Sequence, residues 1–384
     1  MTALSKPAWL IPRVIAALIC LGIQLAKAKP GVADAAELKE VQNLNLDFLK
    51  AVTCVTVSRD GKFLYATAFA GNVVAVFSRD PESGQIGFLR SNESEELDAA
   101  VSVRLSPNDR YAAVAAFRAN SICLFRRSAT DGSLALLDVA REGEQGNEGL
   151  NFVIDAAFSP DNHFLYTAAA MGVGVFNLTE GKLKFVQCEK ADDRLRGVRG
   201  VTLSPDGATI YAAAYISGTV AVLRRDKDSG KVEIVQLLAD GQDGVETIEG
   251  AFRIAVSNDG RHVYLSSGRF KGDQAVTVFE AQADGKLKLL EAHVNGQAGF
   301  TGFEGGNTIA ISPDGSLVYA VATLSDRLVR FRRDPATGRL TFLGSQAVGA
   351  NETPGASGLC FSPDGKFVYV ADENANSIVV FKQP

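Results

Sequence analysis

Tryptophan, histidine and methionine are scarce in this chain of 384 residues, which has one Trp, three His and two Met. Trp9 falls in an N-terminal stretch expected to be removed, so repeat signatures and cofactor stacks built on indole are excluded. His163, His262 and His293 are too dispersed to form a zinc site. Of the five cysteines, Cys20 lies in the same N-terminal stretch. Cys54, Cys123, Cys188 and Cys360 have neither metal-like spacing nor a close pair, and four buried free thiols are expected. An excess of positive charge is also missing. Lys and Arg number 39 against 44 Asp and Glu, a net charge of −5, so the electrostatic footprint for nucleic acid is absent. No Walker loop, nucleophile elbow, zinc motif or dinucleotide fingerprint occurs, and neither cofactor nor metal is expected.

The apolar run Val14–Ile23 is too short to cross about 30 Å of hydrocarbon as a helix. It follows Lys6 and Arg13 and precedes the small-x-small site Ala26-Lys27-Ala28, the pattern of a cleaved secretory signal. Residues 1–28 are therefore expected to be a signal peptide and residues 29–384 one domain, periplasmic or secreted and free of the membrane after cleavage. Removal of Lys6, Arg13 and Lys27 takes the net charge from −5 to −8.

What the chain does contain is a repeat. Ser204-Pro205-Asp206-Gly207 recurs in form at Ser58, Ser106, Ser159, Ser257, Ser312 and Ser362, a mean period of about 51 residues. A period near this length with short strands inside it marks a propeller. Each unit reads as strand a, the Ser-Pro-Asp-Gly turn, strand b, strand c ending in Phe or Leu, a second turn and strand d. The Gly-marked turns and period-two alternation are the strand signature. Strand b carries a tyrosine (Tyr65, Tyr111, Tyr166, Tyr211, Tyr264, Tyr319 or Tyr369), which makes tyrosine structural. The last unit stops after Phe381-Lys382-Gln383-Pro384, without a strand d. Glu37-Leu38-Lys39-Glu40-Val41-Gln42 resembles the strand d Lys182–Gln187, so residues 36–43 are expected to complete blade seven and close the ring. The expected fold is all-β: a seven-bladed propeller with four antiparallel strands per blade.

Alternation of strand direction places the short a–b and c–d turns on one face and the b–c and d–a connections on the other. The long d–a loops, residues 92–99, 141–152, 189–197, 238–250, 293–305 and 346–355, make the second face the candidate binding surface. Their acids, such as Glu93, Glu95, Glu96 and Asp98, lack the dense spacing of calcium loops, and a solvated rim is the simpler reading. Strand a should line the central channel. Against small or apolar residues there, Asp155 and Arg253 stand four before their serines, and Arg199 and Asn307 five before. Such charges pair across the channel or serve a ligand. His293, at the start of a long d–a loop, is the one histidine expected on the candidate face.

The motif Ser-Pro-Asp-Gly-x-x-x-x-Tyr-Ala followed by Phe-x-Arg-Asp-x-x-x-Gly-x-Leu resembles the seven-bladed lactonase-type propeller family, which includes 6-phosphogluconolactonase-like and carboxymuconate-cyclase-like proteins. The stretch Ala239-Asp240-Gly241-Gln242-Asp243-Gly244 through Gly250-Ala251 resembles the exported bacterial branch. Family members often carry Pro-Arg-His before a turn; here Arg199 stands in register and no histidine follows it. The resemblance implies a monomeric hydrolase acting on a sugar or aromatic lactone. Arg199 and Arg253 would polarise the carbonyl, and Asp155 or His293 would direct water at it. The alternative is a non-catalytic extracytoplasmic scaffold that docks a protein or glycan on its acidic loop face.

Overall fold

Each a–b turn is held by its own serine. The Ser58 hydroxyl donates to Asp60 Oδ1 at 2.6 Å and accepts the Phe63 N–H at 3.0 Å, while the Gly61 N–H donates to the Ser58 carbonyl at 2.9 Å. Ser204 makes the same set with Asp206, Thr209 and Gly207. The turn glycine lies at positive φ (+67° at Gly207), and Asp109 and Asn162 hold that conformation in blades two and three. The recurrence of Ser in all seven turns, and of Asp and Gly in most of them, thus follows from the geometry of one turn.

The computed structural model describes residues 37–349 and 354–384; the expected signal peptide lies outside them. Seven four-stranded antiparallel sheets follow one another along the chain, six of them in order a-b-c-d. In the seventh, the N-terminal strand Lys39–Asn45 pairs with Ser377–Lys382, outside the strands Phe367–Asp372 and Ala356–Phe361. The ring is closed by the N-terminal strand, a few residues later than the sequence indicates. Among the described residues, no helix is long and apolar enough to cross a membrane.

Hydrophobic clusters fill the interfaces between neighbouring blades, and the strand b tyrosines other than Tyr111 are buried in them. Small residues in strand a allow the inner strands to approach one another. A Cβ on Gly200 would lie 2.9 Å from the Phe252 carbonyl oxygen and 3.1 Å from Arg253 Cα, and one on Gly358 would lie 2.8 Å from the Thr53 oxygen.

Arginines at the end of strand c tie four of the interfaces. Arg79, Arg127, Arg225 and Arg333 each donate Nε to the tyrosine hydroxyl of the preceding blade: Tyr369 at 2.5 Å, Tyr65 at 2.8 Å, Tyr166 at 2.6 Å and Tyr264 at 2.7 Å. Their Nη2 atoms reach Asp364, Asp60, Asp161 and Asp259 of that blade, at 2.6–3.6 Å. Nη1 donates to a carbonyl of the arginine's own a–b turn, at Gly61, Asp109, Gly207 or Gly315. The Tyr and Asp of the repeat are therefore the two halves of an inter-blade seat for a guanidinium.

Candidate functional site: the channel mouth

Strand a carries a register irregularity near its start in six of the seven blades, for example between Val198 and Gly200 and between Ala251 and Arg253. A bulge turns one side chain out of the regular alternation, often beside a functional site. Here the redirected residues are Thr53, Val101, Arg199, Phe252, Asn307 and Ser357. Together with Ile154 of blade three, they line a cavity of about 410 Å³. All seven stand five residues before a turn serine. The walls come from the b–c turns: Phe69, Phe117, Arg269, Phe270, Glu373 and Asn374. The cavity therefore opens on the face of the long d–a loops.

Its polar side is cationic. Arg199, on strand Val198–Leu203, has an Nε without a hydrogen-bond partner among the described residues, and so have Nε and Nη1 of Arg253. Burial lowers the affinity of Arg199 for its proton, and repulsion from Arg253 lowers it further. Arg253 is lowered by burial too, with Asp155 offsetting part of the effect and Arg104 adding to it. Both remain cations, as arginine does in proteins. Arg269 is held differently: its Nη2 meets both Glu373 carboxylate oxygens, at 2.8 and 3.0 Å, and its Nη1 donates to the Thr323 hydroxyl. The Asn307 amide donates to the same hydroxyl at 3.1 Å, which in turn donates to the Ala356 carbonyl at 2.6 Å. Aromatic rings frame these cations. The Arg269 guanidinium lies 4.8 Å from the Phe270 ring centre and 5.8 Å from that of Phe252, and Arg253 lies 5.4 Å from Phe252. Tyr215 meets Phe252 and Phe270 edge-on.

Asp155 lies one layer deeper. It lines a second cavity of about 390 Å³, in the channel behind Arg253, which borders both spaces. Asp155 Oδ1 accepts from Arg104 Nε at 2.9 Å, and Oδ2 lies 3.5 Å from Arg253 Nη1. The nearer partner, Arg104, was not anticipated; it stands two residues before Ser106 and faces the channel. The fold thus brings Arg199 and Arg253 together at the mouth and sets Asp155 behind Arg253 as its anchor. His293 is elsewhere. It sits within the outermost strand Leu287–Val294, 3.2 Å from Glu291 and packed on Phe300 and Phe331, and it does not line the cavity. Strand d is the blade's outer edge, so a side chain there packs against the neighbouring blade and not into the funnel.

Arg269 and Glu373 are the site residues that the sequence reading missed. Both come from b–c turns: Glu373 shares its register with Phe69, Phe117, Tyr215 and Thr323, a position that is large or polar except at Ala170 and Gly268, and Arg269 lies one residue further along in the longer turn of blade five. Among the described residues, no three His, Cys, Asp or Glu side chains converge as a metal site would require. The arrangement can bind an anion or a developing negative charge, with Glu373 positioned to accept a proton.

Comparison with known proteins agrees with this architecture. The chain matches the family described as Lactonase, 7-bladed beta-propeller, over residues 33–351 and 254–383. Two Lactococcus lactis proteins of uncharacterised function are 24% identical over 222 residues, and the match spans 61% of their length. The 6-phosphogluconolactonase of Bacillus subtilis is 24% identical over 76% of this chain and 83% of its own. The crystallographic periplasmic gluconolactonase of Pseudomonas aeruginosa superposes with a TM-score of 0.67 at 22% identity, over 87% of this chain and 92% of its own. The chain belongs to the lactonase family of seven-bladed β-propellers.

Proposed function

We propose that the protein is a lactone hydrolase working at the channel mouth. One observation carries the reading: the guanidiniums of Arg199 and Arg253, which hold buried nitrogens without a hydrogen-bond partner among the described residues, border one cavity large enough for a small ring compound. Guanidinium N–H groups held away from water are matched to charge that appears only during reaction, as on the oxygen of a lactone carbonyl attacked by water. Water adds to the carbonyl carbon, the oxyanion is met by Arg199 and Arg253, and the ring C–O bond breaks. Glu373, fixed by Arg269, takes the proton from the attacking water and returns it to the departing alkoxide, so atoms and charge balance. Asp155 acts through Arg253 as a positioning residue. The aromatic walls suit a substrate with an apolar or aromatic face, and the excess of guanidinium over carboxylate favours one carrying negative charge.

The similarity to the Bacillus and Pseudomonas proteins supports a sugar lactone as one member of the test set. Export, proposed from the pattern of residues 1–28, would place the reaction in the periplasm or outside the cell. A scaffold role is the second reading. It is favoured by the exposure of Phe152, Met171, Ile216, Phe270 and Leu324, all on the b–c and d–a connections of the same face. A pH-stat assay with sugar and aromatic lactones, neutral and anionic, separates the two. Ring opening well above the spontaneous rate on any of them supports the hydrolase, and background rates on all of them leave the scaffold.

A further inference from the structure

The seven inter-blade seats are not filled alike. In every blade, the residue at the end of strand c donates its N–H to a carbonyl of the a–b turn: Arg79 to Lys62, Arg127 to Arg110, Leu178 to His163, Arg225 to Ala208, Ala281 to Arg261, Arg333 to Ser316 and Gln383 to Lys366. Four of these residues are the arginines described above. Gln383 takes the role at the seat between blades six and seven, where its Oε1 accepts the Tyr319 hydroxyl at 2.8 Å. Between blades two and three the acid of the turn is replaced by Asn108, and Leu178 fills the seat, packing in one cluster with Tyr111. Arginine and acid are lost together there, and the seat becomes apolar.

Between blades four and five only the arginine is lost. Asp206 and Tyr211 are both retained, and Gly260 stands where Gly61, Gly207 and Gly315 offer their carbonyls. Ala281 replaces the arginine, and a cavity of about 480 Å³ lies in front of it, lined by Asp206, Tyr211, Gly260 and Ala281. Tyr211 is 1% exposed, and its hydroxyl has the Thr209 hydroxyl as neighbour in place of a guanidinium. Asp206 uses Oδ1 for the Ser204 hydroxyl and the Ala208 N–H, and among the described residues its second oxygen accepts no hydrogen bond. Three cations nearby are engaged elsewhere, Arg224 with Glu233, Lys286 with Asp284, and Arg261 with the carbonyls of Pro335 and Ala336, while Lys227 acts on Asp206 through its charge without a hydrogen bond to it among the described residues.

We propose that this gap is a binding site for a guanidinium group supplied from outside the chain, by a free guanidino compound or by an arginine side chain of another protein. The same acceptor set holds a guanidinium at four other places in the molecule, with a carboxylate, a phenol oxygen and a turn carbonyl set to receive its planar fork. Tyr211 keeps its hydroxyl buried beside the gap without the guanidinium that its four counterparts receive, and Asp206 stands at the exposed rim as the carboxylate of the set. The site lies on the face of the a–b and c–d turns, remote in the fold from the channel mouth, and the inference does not depend on the reaction proposed there.

Titration calorimetry on the full chain tests it, with agmatine and a short blocked peptide centred on arginine as probes and putrescine as the ammonium control. Saturable binding of agmatine or the peptide, with putrescine weaker, is the expected result. Tighter binding of the peptide than of agmatine assigns the site to a partner's arginine, and the reverse order to a free compound. Ala281→Arg, which supplies the missing side chain from within, should abolish binding and raise the melting temperature. Asp206→Asn should weaken binding by about tenfold or more, the loss expected for one charge-assisted pair. The proposal is overturned if neither guanidinium probe binds at about 10 mM, where even weak single-group recognition shows. It is equally overturned if binding persists unchanged in both variants.

Discussion

Removing Arg253 and removing Asp155 should have opposite consequences for stability, although the two side chains touch. Asp155 is paired twice, to Arg104 at 2.9 Å and to Arg253 at 3.5 Å. Arg253→Met keeps most of the aliphatic stem and leaves Asp155 its closer partner. It also removes two buried nitrogens that have no hydrogen bond among the described residues. The expected change is within about 1 kcal/mol of zero, and stabilisation is the more natural sign because a poorly paired buried charge disappears. Asp155→Asn keeps the shape but strands two guanidiniums against each other in the channel. Loss of one member of a buried charge network costs about 3–5 kcal/mol. At about 2–4 °C per kcal/mol for domains of a few hundred residues, the melting temperature should fall by on the order of 10 °C. Urea unfolding and calorimetry of the two variants beside wild type would measure this. Equal losses in both variants would refute the reasoning, because Arg253 would then be a structural partner that Arg104 cannot replace.

Other expectations follow from single groups. Burial, with the charge of Asp372 adding, raises the Asp326 carboxyl from its ordinary 3.8 to about 6, so the folded state binds the proton more tightly than the unfolded chain. Stability should therefore fall as pH rises from about 4 to about 6, and Asp326→Asn should remove that slope and stabilise at pH 7 by about 1–3 kcal/mol. Asn already serves the counterpart positions, with Asn72, Asn120 and Asn376 at similar positive φ and accepting the N–H groups of Ala99, Phe152 and Ala51. Gly207→Val should cost more than Ala208→Val by about 1–3 kcal/mol, because the glycine has φ +67° and its Cβ would crowd Pro160 and Arg225; equal melting shifts would contradict the turn geometry. Cys54, Cys123, Cys188 and Cys360 are free, but only Cys54 and Cys123 are buried as expected, Cys188 and Cys360 being half-buried; loss of solvent still pushes the Cys123 and Cys188 thiols up to about 12. Intact-mass analysis after native alkylation at pH 8 should show Cys123 and Cys188 unmodified. Glu373→Gln should lower kcat by about 10²–10⁴ if the carboxylate is the proton acceptor.

The parts of this molecule legible in its sequence are those fixed by local chemistry repeated in register. Ser204, Asp206 and Gly207 mark the turn because one hydroxyl and one positive φ define it. The truncated seventh unit and the Lys182-like N-terminal segment together imply the closing strand. Arg199 was legible because strand a keeps constant spacing to its serine, and its counterpart positions form the cavity floor. Arg269 is not, because the longer b–c turn of blade five, residues 268–274, carries it out of register; Glu373 keeps the register of Phe69 and Tyr215, but its role appears only through its pairing with Arg269. Arg104 was hidden by its place two residues before its serine, deep in the channel, where only the ring brings it to Asp155. His293 falls inside strand d and not at the start of the loop, because that strand runs to Val294, further than the alternation indicates. Phe-x-Arg was visible as a motif, but its role requires the next blade: the arginine's partners, Tyr166 and Asp161 for Arg225, lie one repeat earlier in the chain.

The central claim, that the arginines at the mouth meet charge developing on a lactone oxygen, is tested most directly by kcat/KM of Arg199→Met measured beside its melting temperature. Loss of one such donor typically costs about 10²–10³ in rate. The account predicts that loss on whichever lactone wild type hydrolyses best, with the melting temperature unchanged or raised, since Arg199 is partly buried and its Nε has no hydrogen-bond partner among the described residues. An unchanged rate, or a lost rate that tracks a lost fold, would contradict it.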